Sequence, residues 1–395
     1  MALSRLTTNF DTPVSRAGTA SLKYEARTTY FGTNDVVPLW VADMDFSAPE
    51  AVTQALVKRA SHTIYGYTDY PESLYLAMQN WFMSRHEWEI DRESIIMCPG
   101  VVPSLYATIT ALTDIGDSVI IQPPVYHPFF SAVKDTGRTL IENPLVVEDG
   151  RYRMDLEHLA ICAQAGAKLL LLCSPHNPVG RVWKRTELEA LLSVARQYGL
   201  TIISDDIHAD LVFPNQTHFP LALLAENETV ITALSPSKTF NIPGLGLSAL
   251  VVNNSKQRQA IETVFNQWHA SNMNPFSICG FEAAYSYGEG WLDDLMPYLA
   301  DSRIAVEAYL VAELPEIKLL KSEGTYLLWL DCRGLAMDDA ALHQFLIEQA
   351  KVALSPGTLF GEDAGSGFMR LNIAAPRAVI MAALASIAAA WQLLS

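Results

Sequence analysis

An α/β fold built on a mostly parallel sheet is what this sequence predicts, on three observations. Between about residues 95 and 252, short runs rich in Val, Ile and Leu alternate with longer helical patterns, which is how a parallel sheet with crossover helices is written. The runs are nearly all apolar, as strands covered on both faces require. Clusters of polar residues come directly after them, and doubly wound sheets bind ligands outside the carboxyl ends of their strands.

The first fifty residues are irregular and rich in turn formers. The clearest strands are then Ser118–Gln122, Lys168–Cys173, Leu200–Ser204, Thr229–Leu234 and Leu247–Val252. One crossover is legible in detail: Thr186 and Glu189 read as a capping box, Leu188, Leu191, Leu192 and Ala195 form an apolar stripe, and Gly199 closes the helix just before Leu200 opens the next strand. That is one right-handed βαβ unit. From about residue 285 the pattern changes to long helices with two short strands, Thr325–Leu330 and Phe368–Asn372, which predicts a second, smaller domain. Its final helix spans Pro376–Leu394, with proline in the first turn. Between the two strands, Gly361–Gly367 has loop composition and is expected to be mobile.

Bulk properties remove whole classes of function. Half of the 395 residues are hydrophobic and 18% are charged, enough to bury a large core. With 27 basic and 43 acidic side chains the net charge is −16, and no Lys/Arg run offsets it, which argues against nucleic acid and anionic membranes as partners. Cys98, Cys162, Cys173, Cys279 and Cys332 are odd in number and scattered without C-x-x-C spacing, so they read as small buried residues outside the chemistry. The N-terminal stretch has no apolar leader region, and no apolar run has the length of a membrane span; a cytoplasmic location is expected. The N-x-S/T matches at Asn215, Asn227 and Asn253 then read as chance. Metal ligand patterns, GxSxG, Walker and GxGxxG motifs are all missing.

The segments just beyond the strands carry the chemistry. They are Cys98-Pro99-Gly100, Pro123-Pro124-Val125-Tyr126, Ser174-Pro175-His176-Asn177-Pro178, Asp205-Asp206 and Ser235-Pro236-Ser237-Lys238. Together they supply an aromatic ring, an amide, a carboxylate, an amine and hydroxyls. A charged pyridine carrying a phosphate and an aldehyde requires that set: lysine to form an imine, a carboxylate at the ring nitrogen, an amide at the phenolic oxygen, and an aromatic on the ring face. Hydroxyls and the N–H groups of a helix start after Gly100 can cradle the phosphate.

These residues resemble fold-type I enzymes that use pyridoxal 5′-phosphate (PLP), of aminotransferase class I/II, and within them the MalY/PatB-type cystathionine β-lyases, or C–S lyases. The landmarks run through most of the chain: WVADMDF at 40–46, YGY at 65–67, CSPHNPVGRVW at 173–183, ISDDIHAD at 203–210, SPSKTFNIPGL at 235–245, TYLLWLD at 325–331 and MRLNIAAPR at 369–377. The resemblance implies an aspartate-aminotransferase-like α/β fold, with a seven-stranded mostly parallel sheet between helices and a smaller α+β domain. The boundaries it implies are an N-terminal segment 1–48 packing with the small domain, a large PLP-binding domain 49–287 and a small domain 288–395.

Carried over by residue, the resemblance implies that Lys238 is the Schiff-base lysine, Asp205 the pyridinium partner, Asn177 the partner of the phenolic oxygen and Tyr126 the stacking ring. Ser235 and Ser237, with the backbone N–H groups of Val101 and Val102, would hold the phosphate, joined by Tyr67 of a neighbouring subunit in a homodimer. His208 would lie at the cofactor without acting as a base. Arg370 would clamp the substrate carboxylate, with Asn177, Val41 and Ala42 on the substrate side. Two departures stand out. The family's S-D-E-I-H reads Ser204-Asp205-Asp206-Ile207-His208, and Asn241–Leu247 lacks the phosphate-binding arginine of many aminotransferases. Asp43 and Asp45 suit the shaping of a loop at the site's edge more than acid–base work.

The expected reaction is cleavage of an S-substituted L-cysteine. Lys238, displaced by the substrate amine, takes the Cα proton; thiolate leaves from Cβ, and pyruvate and ammonia are the remaining products. An aminotransferase shares every one of these residues and is the nearest alternative. A PLP-binding regulatory or interaction protein with residual activity is the third.

Overall fold

A computed structural model describes residues 8–225, 230–270 and 274–394; Asn227 and Thr229 lie outside the described residues. Seven strands form the central sheet: β1 (Ile95–Cys98), β2 (Ser118–Ile121), β3 (Thr139–Glu142), β4 (Leu169–Cys173), β5 (Thr201–Asp205), β6 (Val230–Leu234) and β7 (Ser248–Val251). Their spatial order is β1-β7-β6-β5-β4-β2-β3. Strands β6, β5, β4, β2 and β3 pair in parallel, and β7 runs antiparallel to both of its neighbours. β1, β4, β6 and β7 are buried along their whole length, and helices cover both faces with separate apolar clusters, which is why these strands carry no alternating polar residues.

The crossover helix before β5 spans Arg185–Tyr198 and buries Leu188, Leu191, Leu192 and Ala195, ending on Gly199 in the left-handed region. Its capping box lies two residues earlier than the Thr186–Glu189 reading. Glu187 accepts from the backbone N–H of Lys184 at 2.8 Å, while Glu189 pairs with Arg185 across one helical turn. Lys184 takes the cap position despite its poor propensity because Glu187 is already held by buried Arg181.

The second sheet has four strands, β8 (Lys318–Leu319), β9 (Leu327–Asp331), β10 (Ser355–Pro356) and β11 (Phe368–Asn372), in the order β8-β9-β11-β10, all antiparallel. The sequence showed only the central two; β8 and β10 are two-residue edge strands, too short for any period to register. The helices Glu289–Glu313 and Arg377–Gln392 pack with this sheet in the large apolar cluster, and Pro376 sits at the cap position rather than in the first turn.

The Gly361–Gly367 loop is tied to its surroundings at several points. Gly365 N–H bonds Gly361 O at 2.8 Å, and Ser366 Oγ and Gly367 N–H both bond Asp339. A Cβ at Gly365 would overlap the Gly357 carbonyl. Glycine is used here for close packing of backbone on backbone.

Among the described residues, no helix is long and apolar enough to cross a membrane, and no group of His, Cys, Asp or Glu is arranged to hold a metal ion.

Candidate active site

Because the strands other than β7 share a direction, the loops after β1, β2, β4, β5 and β6 emerge on one edge of the sheet, together with the residues that lead into β7. They line a single cleft that includes Ala42, Gly100, Val101, Val102, Tyr126, Cys173, Asn177, Asp205, His208, Ser235, Ser237 and Lys238. Of the eighteen residues that line it, ten are ones that the sequence singled out for the site. Gly100 has φ +155 and caps the helix Val101–Leu112, so the first-turn N–H groups of Val101 and Val102 border the cleft.

Lys238 lies at the cleft floor, and its Nζ donates to Ala42 O at 2.7 Å. Burial pushes its amine down to about 8, against the opposing pull of Asp43; Arg370 pushes the same way as burial. Asp205, at the end of β5, is 1% exposed and accepts one bond from the Ile207 N–H. Burial drives its carboxyl up to about 7, and neighbouring Asp206 adds to the rise. Burial also takes His208 down to about 3, so its ring is neutral. Tyr126 is raised to about 12 by burial and by Asp205, and remains a neutral phenol.

Arg370 comes from β11, in the other sheet. Its Nη1 donates to Asn177 Oδ1 at 3.1 Å, and its Nη2 donates to Trp40 O at 2.8 Å and Ser355 Oγ at 3.2 Å. Burial lowers its guanidinium to about 10, still a cation at neutral pH. Two buried nitrogens face this region without a hydrogen-bond partner, Arg370 Nε and His208 Nδ1. Buried polar atoms are rarely left unpaired in a structure unless a further group completes them.

Three expected residues sit differently from the rest. Tyr67 is fully exposed, on an extended segment with Ile64 and Tyr65, away from this chain's own cleft. Val41 lies behind the cleft wall, its carbonyl accepting from Asn372 Nδ2 at 2.6 Å. Ser235 lines the cleft, but its hydroxyl donates to Leu247 O at 2.7 Å and accepts from Ser237 N–H.

The segment Trp40–Phe46 forms a strap across the site, held largely by its carbonyl oxygens. Arg370 and Ser355 donate to Trp40, Asn372 to Val41 and Asp43, Lys238 and Tyr326 to Ala42, and Asn241 to Met44 and Phe46. On its far side Asp43 and Asp45 meet Arg16 at 2.6 and 3.1 Å, and Asp45 meets fully buried Lys23 at 2.8 Å. The two carboxylates are thus structural anchors, in line with the loop-shaping reading. Asp206, the departure from the family motif, accepts from Ser204 Oγ and pairs with His218 Nε2 at 3.0 Å.

Asn372, Asn241 and Tyr326 were not singled out from sequence. Asn372 had a readable signal: it lies two residues from Arg370 on a fully buried strand, hence on the same face. Cys173 also lines the cleft, and burial raises its thiol well above the ordinary range, keeping it unreactive.

The model of the family "aminotransferase class I and II" matches residues 34–387. Cystathionine beta-lyase PatB of Bacillus subtilis is 40% identical over 97% of this chain and 99% of that relative. Protein MalY of Escherichia coli is 34% identical over 93% of this chain and 95% of its own. Among solved structures, cystalysin from Treponema denticola, which contains a pyridoxal 5′-phosphate cofactor, superposes with a TM-score of 0.95 at 36% identity, covering 98% of this chain and all of that one. With nine-tenths of its length matched, the chain belongs to the aminotransferase class I and II family.

Proposed function

We propose that this protein is a PLP-dependent carbon–sulfur β-lyase that cleaves S-substituted L-cysteines of the cystathionine type. The observation that carries the reading is the convergence of Lys238 and Arg370 on the carbonyls of Ala42 and Trp40, two residues apart in one strap. An amine poised as a base in the cleft and a guanidinium bonded to Asn177 in the cleft wall are thereby tied to one strap.

The donor set suits pyridoxal phosphate. Asp205, a carboxylate that burial makes costly to ionise, is matched by a protonated ring nitrogen beside it. His208 Nδ1 and Arg370 Nε are buried and unpartnered where a cofactor and a substrate carboxylate would lie. When bound, the cofactor supplies an electron-withdrawing ring that acidifies the substrate Cα–H.

The chain's own groups divide the remaining work. Lys238 would anchor the cofactor through Nζ, and its free amine would take the substrate's Cα proton. An amine near 8 keeps a useful neutral fraction at neutral pH and still returns the proton readily. Asp205 holds the ring-nitrogen proton, Asn177 the phenolic oxygen and Tyr126 the ring face. Ser237 and the N–H groups of Val101 and Val102 would hold the phosphate, and Ser235 would join them by turning its O–H away from the Leu247 carbonyl. Arg370, tied to Asn177, orients the substrate carboxylate, with Ala42 and Val41 forming the strap wall beside it. Loss of thiolate from Cβ and hydrolysis of the remaining enamine consume one water: cystathionine and water give homocysteine, pyruvate and ammonia.

The same reading includes a cytoplasmic homodimer in which Tyr67 of each subunit reaches the phosphate of the other, which accounts for a fully exposed tyrosine beside exposed Ile64 and Tyr65. It also includes the division into segments 1–48, 49–287 and 288–395. The test is a product assay with PLP and L-cystathionine. Pyruvate and a free thiol in equal amounts, both lost in Lys238→Ala, are expected. Accumulation of pyridoxamine phosphate without thiol release would replace the lyase reading with amino transfer.

A further inference from the structure

We infer that Tyr326 is a positioning residue for Lys238: its hydroxyl occupies the Ala42 carbonyl, so that the released ε-amino group finds there a shared, weakened resting place and stays available as a base. The inference rests on Lys238 being the cofactor lysine, as proposed above.

The geometry is a single acceptor with two donors. Tyr326 Oη bonds Ala42 O at 2.9 Å, and Lys238 Nζ bonds the same oxygen at 2.7 Å. Ala42 cannot turn away, because Asn372 Nδ2 grips the carbonyls on either side of it, Val41 O at 2.6 Å and Asp43 O at 2.7 Å. Tyr326 is equally fixed. It is 1% exposed, it precedes β9, its carbonyl accepts from Ile373 N–H at 2.8 Å, and its ring lies 6.1 Å from that of His208. Burial and Asp43 raise the phenol far above its ordinary range, so it remains a hydrogen donor at every working pH.

Two donors on one oxygen weaken each other, and the loss is greater for a charged donor than for a neutral one, because the charge-assisted bond is the stronger of the two. The hydroxyl dipole, positive end towards the shared oxygen, therefore disfavours the ammonium form of Lys238 more than the free amine. It acts with burial and Arg370, and against the carboxylates Asp43 and Asp205; neutral His208 and the Tyr126 phenol complete the surroundings. A lysine resting on an unshared carbonyl in this cleft would hold its proton longer.

Tyr326→Phe removes one oxygen and keeps the ring that packs in the core, and an unchanged melting temperature verifies folding. The readout is taken on cofactor-free protein: the rate at which an amine-acylating reagent modifies Lys238, followed by peptide mass spectrometry across pH 6 to 10. The variant's titration midpoint should rise by about half a unit to one unit, which below the midpoint slows labelling about three- to tenfold. The same rise should appear in the acid limb of kcat for pyruvate release, the profile that reports the enzyme–substrate complex in which Lys238 is free. An unchanged or lowered midpoint in a folded variant overturns the inference. Lys238→Ala with PLP separates the two claims: imine absorbance that persists in that variant refutes the cofactor lysine itself, whereas a Tyr326→Phe midpoint that fails to rise while Lys238→Ala loses the absorbance refutes only the role of Tyr326.

Discussion

Replacing Asp205 by Asn should stabilise the cofactor-free protein at alkaline pH while crippling cofactor binding. The carboxyl is 1% exposed, and burial raises it from 3.8 to about 7. Between those values the folded chain holds a proton that the unfolded chain has lost, so stability falls as pH climbs through that window and the full penalty is present above it. A rise of about 3 units corresponds to about 4 kcal/mol at 1.36 kcal/mol per unit, an upper bound for one buried group. Asparagine has nearly the same shape and keeps an oxygen for the Ile207 N–H, bonded at 3.2 Å in the native chain. Urea unfolding of both apo proteins at pH 4 and pH 8 measures the difference. The variant should match the native chain at pH 4 and exceed it by up to about 4 kcal/mol at pH 8. Added PLP should stabilise the native chain far more than the variant, because only the carboxylate gains a cationic neighbour. A gap no larger at pH 8 than at pH 4 would refute this account of Asp205.

Arg370→Lys should lower kcat/KM for S-substituted cysteines about a hundredfold with the fold intact, since a point charge cannot serve Asn177, Trp40 and Ser355 and still present a fork to a carboxylate. Steady-state kinetics measures it; a loss under about threefold would mean that the carboxylate docks elsewhere. Asp45→Asn should cost about 3 kcal/mol by denaturant melts, because it leaves the fully buried Lys23 ammonium with Asp43 at 3.7 Å as its remaining carboxylate. A smaller effect would indicate that the strap is held well enough by its carbonyl bonds alone.

The central sheet and the residues after its strands were legible because buried parallel strands are written in an unbroken apolar alphabet, so that Lys238, Asp205 and Asn177 stand out at their ends. The edge strand β3 was missed for the converse reason: Thr139–Glu142 has exposed residues at both ends and reads as neither buried nor alternating. The capping box was misplaced because Thr186 and Glu189 fit the S/T-x-x-E pattern, whereas the observed pair, Lys184 and Glu187, does not; Glu187 is fixed instead by buried Arg181. At Gly361–Gly367 the close backbone packing of Gly365 was not legible, because glycine serves both freedom and close approach, and composition does not distinguish them. The hold of Asn372 and Tyr326 on the strap spans some 280 to 330 positions, beyond the reach of any local period.

The strap at 40–46 reverses the usual bearing of evolutionary constraint. A segment gripped by its main-chain oxygens presents the same acceptors to the cleft whatever side chains it carries there, while Asp43 and Asp45 anchor its far side. The burden shifts to the distant donors Arg370, Asn372, Asn241 and Tyr326, each of which must keep its reach. Retention of those four, together with the anchoring carboxylates Asp43 and Asp45, would preserve the mouth of the cleft while other positions of the segment change.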